Sequence, residues 1–453
     1  MSSVRIVKVA DRKGLEEFIQ FHYDLYRGDP YDVPNLRSDE LRTLSRDKNA
    51  AFDFCEADYF LAYKDGRVVG RVAAIVNNRA NERWQRKSVR FGWIDFVDDR
   101  EVSSALLKAV EDWGRERGMT EIVGPLGFTD MDPEGMLTEG FDQLGTQATI
   151  YNYPYYPQHI ESMGGWEKDN DYVEFKMFVP DEIPDKYTKV ARMVEQRYNL
   201  RVKKLTRREV LREGYGQKIF EVINETFKDL YGYSQLTPRQ IDQYVDMYLP
   251  MADLNLITLV EDWNADRKLV GVGITIPSLS RAFQKCRDGR LWPFGWWHVL
   301  RALKFHKTEG VDLLLMGVLP EYRMKGANAL MFADLIPWYR KYGFKWGESQ
   351  VEMETNENVQ SQWQYLDKVQ HKLSGGNPAK MNAIAGGAMV GGMASLASSH
   401  VFSLNMNSVA CLIGAAIMVI IYLINSKVKA GWLREWALTF ALIGAIVIVS
   451  LIH

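Results

Sequence analysis

The stretch VLPEYRMKGANALMF, residues 318–332, decides the reading of this chain. An apolar run enters a Pro-Glu-Tyr-Arg turn, passes Lys-Gly and opens an amphipathic helix. Amides at a helix N-terminus form a concave donor cluster that favours an anion. Gly326 lets the main chain approach a pyrophosphate with no side chain between them. Arg323 and Lys325 add charge-assisted bonds. Asn328 stands where a second small residue is expected. Asparagine tolerates left-handed backbone and caps helices, so it narrows the cradle without abolishing it. The alternative is a turn that only joins strand to helix.

Outward from this loop the soluble part reads as two copies of one plan. YFLAYKDGRVVGRVAAIV (59–76) is a hairpin around Asp65-Gly66, and LITLVEDWNADRKLVGVGITI (256–276) repeats it around a longer turn. An apolar run follows each, VRFGWIDFV (89–97) or VDLLLMGVL (311–319). Then come SSALLKAVEDWGRERG and NALMFADLIPWYRKYG, both with helical apolar spacing. The expected domains are residues 1–180 and 195–372, with 373–380 as a linker. The fold class is α/β (α+β), two tandem mixed-sheet domains followed by transmembrane helices.

The element order around the 318–332 loop resembles the GCN5-related N-acetyltransferase (GNAT) superfamily, in a bacterial form with two such domains in tandem. The resemblance covers about residues 4–372. It implies that acetyl-CoA or another acyl-CoA is held by Val318, Arg323, Met324, Lys325, Gly326, Ala327, Asn328 and Ala329, with Asn358 beyond them. NVQSQWQY puts Asn358 and Tyr365 at the superfamily's spacing, which implies Tyr365 as the acid that protonates the leaving thiolate. The equivalent first-copy loop, FVDDREVSSALL, has no glycine and three acids, Asp98, Asp99 and Glu101, which would repel a pyrophosphate. In ESQVEMETNE the acids alternate, so Glu352 and Glu354 share a strand face and are candidate amine bases. The long stretch 124–157, with its acids, glycines and tyrosines, suits ligand holding. RLWPFGWWHVL (290–300) fits core packing, a lipid-interface patch or an acceptor pocket. The second copy is expected to lack its final strand, since LSGGNPAK follows where the first copy has DYVEFKMFV.

The formal net charge of −2 gives no reason to expect nucleic acid as a partner. Three cysteines, far apart, and seven scattered histidines give no metal-ligand spacing, so no metal is expected. Beyond residue 380 the chain turns apolar. Stretches at about 381–402, 407–424 and 436–453 approach the about 20 residues that cross a bilayer. Lys427, Lys429 and Arg434 place the last loop on the cytoplasmic side. These features predict an inner (cytoplasmic) membrane protein with its soluble domains in the cytoplasm, anchored through those helices.

The leading expectation is an acyl-CoA-dependent N-acyltransferase acting on a small-molecule or peptide amine by direct thioester attack. The rivals are a catalytically silent, membrane-tethered binding module and an aminoacyl-tRNA-dependent transferase.

Overall fold

The computed structural model describes residues 3–167, 171–230, 233–248, 252–354 and 366–375. The membrane stretches predicted beyond residue 380 lie outside the described residues, among which no helix is long and apolar enough to cross a membrane.

Two sheets carry the fold. The first has five strands in the order β1 (Arg5–Lys8), β2 (Cys55–Lys64), β3 (Arg67–Asn77), β4 (Ser88–Phe96) and β5 (Glu121–Val123). Helices α1 (Arg12–Leu25), α2 (Arg37–Thr43), α3 (Asn78–Arg83) and α4 (Arg100–Arg115) are interleaved with them. The β2–β3 hairpin closes as its sequence demands, with Asp65 and Gly66 both at positive φ. Val102, Leu106, Val110 and Trp113 bury one stripe of α4 against the sheet.

The second sheet has nine strands. Its spine runs β6 (Met136–Glu139), β14 (Lys368–Gly375), β7 (Asp171–Phe178), β12 (Trp346–Glu348), β11 (Gly310–Val318), β10 (Lys268–Pro277), β9 (Ile257–Asp262) and β8 (Leu200–Lys203). The short β13 (Glu352–Met353) adds to β7. Helix α5 (Tyr155–Ser162) belongs to the first half of the chain. The second half holds α6 (Asp185–Tyr198), α7 (Arg207–Arg212), α8 (Tyr215–Phe227), α9 (Pro238–Tyr248), α10 (Ser280–Phe283), α11 (Gly295–Phe305) and α12 (Ala327–Tyr342).

This topology corrects two expectations. The second copy does have a final strand: residues 368–375, whose C-terminal end had been assigned to a linker, form β14. And the strand DYVEFKMFV does not close the first copy. As β7 it lies between β12 and β14, antiparallel to both. Val173, Phe175 and Met177 join a core with Val311, Leu313, Phe332 and Leu335 of the second half. The halves therefore share one sheet, and the break expected at residue 180 is not a boundary of packing.

The shared sheet is fastened by charge. Lys372 Nζ on β14 lies 2.8 Å from Glu174 Oε2 on β7 and 3.3 Å from Glu348 Oε1 on β12. Both Lys372 and Glu174 side chains are 1% exposed. His371 Nε2 adds a contact to Glu348 at 3.2 Å. Burial alone would raise Glu348, but Lys372 and His371 hold its carboxyl down at about 2. Glu174, Glu348 and His371 converge closely enough to ligate an ion. The Lys372 ammonium already supplies the positive charge there.

Removing that ammonium leaves two buried carboxylates uncompensated. Lys372→Met is expected to cost about 3–5 kcal/mol, as for other broken buried pairs. Urea denaturation of parent and variant measures it; a loss within about 0.5 kcal/mol, as for a surface substitution, would contradict the role given to this triad.

Candidate active site

Strand β11 pairs in parallel with β12 only through Gly310, Val311 and Asp312, although β11 continues to Val318. The reason lies in β7. After Glu348 the chain follows β7: Ser349 N donates to Phe175 O at 2.8 Å, β13 pairs with Val173 and Tyr172, and Glu354 N donates to Asp171 O at 2.9 Å. β12 and its continuation are drawn away from β11, so the parallel pair opens. A bulge at Leu314 in β11 falls just beyond the last paired residue.

The 318–329 loop follows the opened half of β11. Pro320–Lys325 form a short 3-10 turn, Gly326 adopts φ +82°, and α12 starts at Ala327 without a side-chain cap. Its first-turn amides thus have no side-chain acceptor of their own. Gly326 is needed twice over. Its positive φ disfavours a side chain, and an added Cβ would lie 3.0 Å from Val190 and 3.1 Å from Val194 of α6.

The charged residues of the loop are partly committed. Arg323 donates to Val318 O (3.2 Å) and Thr226 O (3.0 Å), tying the turn to β11 and to the end of α8. Lys325 lies 4.0 Å from the centre of the Tyr322 ring. Met324 is 95% exposed. Asn328 Oδ1 is buried with no hydrogen-bond partner among the described residues, on the first turn of the helix.

The acids of the alternating stretch part company. Glu348 is spent on Lys372 and His371, Glu352 is buried beside β7, and Glu354 is exposed. One shared carboxylate face does not form, because the chain is not a continuous strand between Glu348 and Glu352. Asn358 and Tyr365 lie outside the described residues.

In the first copy β4 and β5 also pair over only three residues, Ser88 to Arg90. There the chain fills its own gap. Leu126 N donates to Phe91 O at 2.8 Å, and a Cβ on Gly92 would lie 2.3 Å from Leu126 O. The acids of the first-copy loop are structural. Asp99 caps α4, and with Glu101 it binds Lys64, at 2.6 and 3.0 Å. Asp98 lies 2.8 Å from His159 Nε2.

Beside this closed gap is a polar cavity of about 110 Å³ between α1, β4 and the 124–157 stretch. Its wall is a chain of alternating charges. Arg71 Nε lies 2.8 Å from Asp95 Oδ2, His22 Nδ1 3.1 Å from the same oxygen, and His22 Nε2 3.5 Å from Asp32. Burial works against a charged His22, yet Asp32 and Asp95 outweigh it and raise the imidazole to about 10. An imidazole that holds its proton so tightly is no general base at neutral pH. Residue spacing gave no sign of this group; the one local hint was an aspartate inside the apolar run GWIDFV.

The 124–157 stretch also brings acids to the second half. Ser234 N donates to Asp130 Oδ2 at 3.0 Å. Burial raises Asp130, Asp132 (to about 7) and Glu134. Neither oxygen of Glu134, 2% exposed, has a hydrogen-bond partner among the described residues. Tyr233 feels the Asp130 charge and packs on Phe227, whose neighbour Thr226 accepts from Arg323. The acidic turn and the 318–329 loop thus approach the same end of α8.

With this geometry in place, comparison with known proteins is informative. The protein YghO of Escherichia coli (strain K12) is 28% identical over 330 residues, covering 72% of this chain and 81% of that protein. Bacterial ceramide synthase of Caulobacter vibrioides (strain NA1000 / CB15N) is 27% identical over 361 residues, covering 76% and 90%. Residues 362–446 match a domain of unknown function, DUF5058. Among solved structures, a tandem GNAT protein from the clavulanic acid biosynthesis pathway aligns over 83% of this chain and 98% of its own, at 13% identity and TM-score 0.46. A GCN5-related glucosamine N-acetyltransferase region of a fungal multi-domain GH3 β-N-acetylglucosaminidase covers 83% of this chain at 13% identity and TM-score 0.47. This chain spans 38% of the length of that fungal protein.

The His22 cluster gives a pH prediction. Its folded pKa lies above the ordinary 6.5, so its stabilisation is complete below pH 6.5 and is lost as pH rises towards about 10. His22→Gln should flatten the alkaline fall in stability, by at most about 1.4 kcal/mol per pH unit. Parallel slopes for parent and variant in urea titrations from neutral to alkaline pH would refute the assignment.

Proposed function

We propose that the chain is an N-acyltransferase that moves an acyl group from acyl-CoA to the amine of a long-chain lipid base. The observation that carries the reading is the opening of β11 from β12, with the uncapped start of α12 directly behind it. The gap suits an extended thioester arm, which can hydrogen-bond to the unpaired edge of β11 as an added strand. The amides from Gly326 to Asn328 suit the pyrophosphate, while Ala329 N is taken by Gly326 O. Arg323 shapes the turn through its two carbonyl bonds and contributes its charge from there. The amine acceptor is drawn from the relative named as a ceramide synthase, which this chain matches over 90% of that protein.

Direct attack requires a neutral amine, so the ammonium must lose a proton near the thioester. We assign this step to the acidic turn, with Glu134 foremost, rather than to Glu352 or Glu354. A buried carboxyl without a partner is neutral while the site is empty and ionises when a cation enters. Tyr365 remains the proposed donor to the departing thiolate, and Asn358 a proposed contact of the CoA moiety. Bond making and breaking balance: the amine nitrogen forms the C–N bond as the C–S bond breaks, and of the two protons the ammonium gives up, one passes through the acidic turn to water and the other replaces the proton that Tyr365 gives to the thiolate.

The full chain should release thiol from a long-chain acyl-CoA only when a sphingoid base is present. Gly326→Glu should abolish acyl-CoA binding. Glu134→Gln should keep that binding while lowering kcat by about 10²–10⁴. Calorimetry reads the first and a thiol-reactive dye the second. Acyl-CoA binding without thiol release for any amine would favour a silent binding module, a reading that the committed Arg323 and the asparagine at 328 support. No binding by the folded parent would remove both.

A further inference from the structure

Residues 285–307, KCRDGRLWPFGWWHVLRALKFHK, hold six Lys or Arg and one acid, Asp288, in a chain whose net charge is −2. Asp288 is neutralised by Arg27 at 3.1 Å. The same segment exposes large apolar rings: Phe294 is 72% exposed, Trp292 51% and Phe305 48%. Isolated exposed side chains are ordinary, but three on one segment form a patch.

Trp292 and Phe294 immediately precede α11 and Phe305 is its last residue. Gly295, Val299 and Ala302 are its buried residues, so its inner stripe is small. The aromatic positions 294, 297 and 305 fall at helical spacing with Arg301. Trp297 lies 6.3 Å from Phe305 and 5.8 Å from Trp296, ring centre to ring centre. In the usual surface helix the large apolar side chains face the core. Here Val299 and Leu303 do so, but Trp296 and Trp297 are only half-buried and Phe305 is exposed.

A groove of about 530 Å³ runs alongside, with Arg281, Lys285, His298, Arg301 and Lys307 on its wall. Among the described residues none of Lys285, Arg301 and Lys307 forms an ion pair, while of the groove's three acids Glu309 and Glu348 are bound to Lys345 and Lys372, which leaves Asp142 alone, accepting from Gln143, against these cations. Burial, with the charges of Lys285 and Arg301 beside it, lowers the His298 imidazole. The wall is thus a concentration of uncompensated positive charge next to exposed aromatic rings.

We propose that this face docks on an anionic phospholipid bilayer, with Trp292, Phe294 and Phe305 entering the headgroup–acyl boundary and the basic wall of the groove receiving lipid phosphates. Rings at the interface with cations beside them are what such a surface selects. A polybasic face is drawn to anionic lipid, and salt screens the attraction. A protein partner would leave the surplus of cations unexplained unless it were acidic. The proposal does not depend on the acyl-transfer reading.

Because apolar stretches beyond residue 380 would hold the full chain in vesicles by themselves, a local probe is required. Cys55 and Cys286 are buried, so Phe294→Cys in a Cys411→Ser background provides one labelling position for an environment-sensitive dye. Asp112→Cys, on the exposed side of α4, is the control. In phosphatidylcholine vesicles containing phosphatidylglycerol, the dye at 294 should shift to the blue and lose most of its quenching by iodide. The dye at 112 should do neither. Omitting phosphatidylglycerol, raising salt, or adding Arg301→Glu with Lys307→Glu should restore the quenching. Equal quenching at 294 and 112 would overturn the proposal, as would shielding at 294 without vesicles, which would indicate a second copy or a protein partner. Shielding that persists in the double charge reversal would overturn the phosphate contact.

Discussion

A lysine ammonium with almost no access to water holds this molecule together. Lys372 joins Glu174 on β7 to Glu348 on β12, strands from different halves of the chain. Two buried carboxylates can both stay ionised side by side only with a cation between them. The three residues therefore specify which strands may be neighbours more sharply than apolar packing does. Once β7 sits between β12 and β14, the remainder of β12 follows it, and beyond Asp312 β11 has no strand partner on that side among the described residues. The gap that suits a thioester arm is thus a consequence of how the two halves are joined.

The halves are alike in plan and opposite in the use of charge. In the first, the loop after β4 is acidic, and its acids are consumed by Lys64, His159 and the cap of α4. Arg71, Asp95, His22 and Asp32 satisfy one another in the same way. In the second half the corresponding loop has no side-chain cap at the start of α12 and leaves Asn328 Oδ1 without a partner among the described residues. A site that binds a ligand must hold back some of its bonding capacity in the empty state. Among the described residues Asn328 Oδ1 in the second half and the Glu134 carboxyl in the first are such unspent groups.

Much of the local structure was legible in the residues. Asp65-Gly66 dictated a tight hairpin, the spacing of Val102, Leu106, Val110 and Trp113 dictated α4, and Gly326 marked the start of α12. Strand DYVEFKMFV was readable as a strand, but its neighbours were not, because alternation fixes which face is buried and not against what. β14 was hidden for a related reason. Its sequence, KVQHKLSG, looks like a solvated linker until Lys372 is seen to be neutralised by Glu174, 198 residues away. The roles of Arg323 and His22 were equally out of reach, since each is set by a carbonyl or carboxylate from a distant element.

Strand exchange also decides what counts as a unit of this protein. The resemblance alone places an edge near residue 372, where its coverage ends. β14 continues through Gly375, and Leu373, Ser374 and Gly375 are the residues that pair with Glu139, Leu137 and Met136 of β6. β6 leads, through Asn152 and its bonds to Leu137, into the stretch that lines the first-half cavity. A chain cut after Lys372 would keep the buried ammonium but lose the three residues that hold β6 to the shared sheet. The acidic turn at 130–134, which immediately precedes β6, would then be tied to the second half through Asp130 and Ser234 N. The acidic turn, the 318–329 loop and the shared sheet are therefore parts of one packed structure, although the sequence presents them as two copies with a junction between.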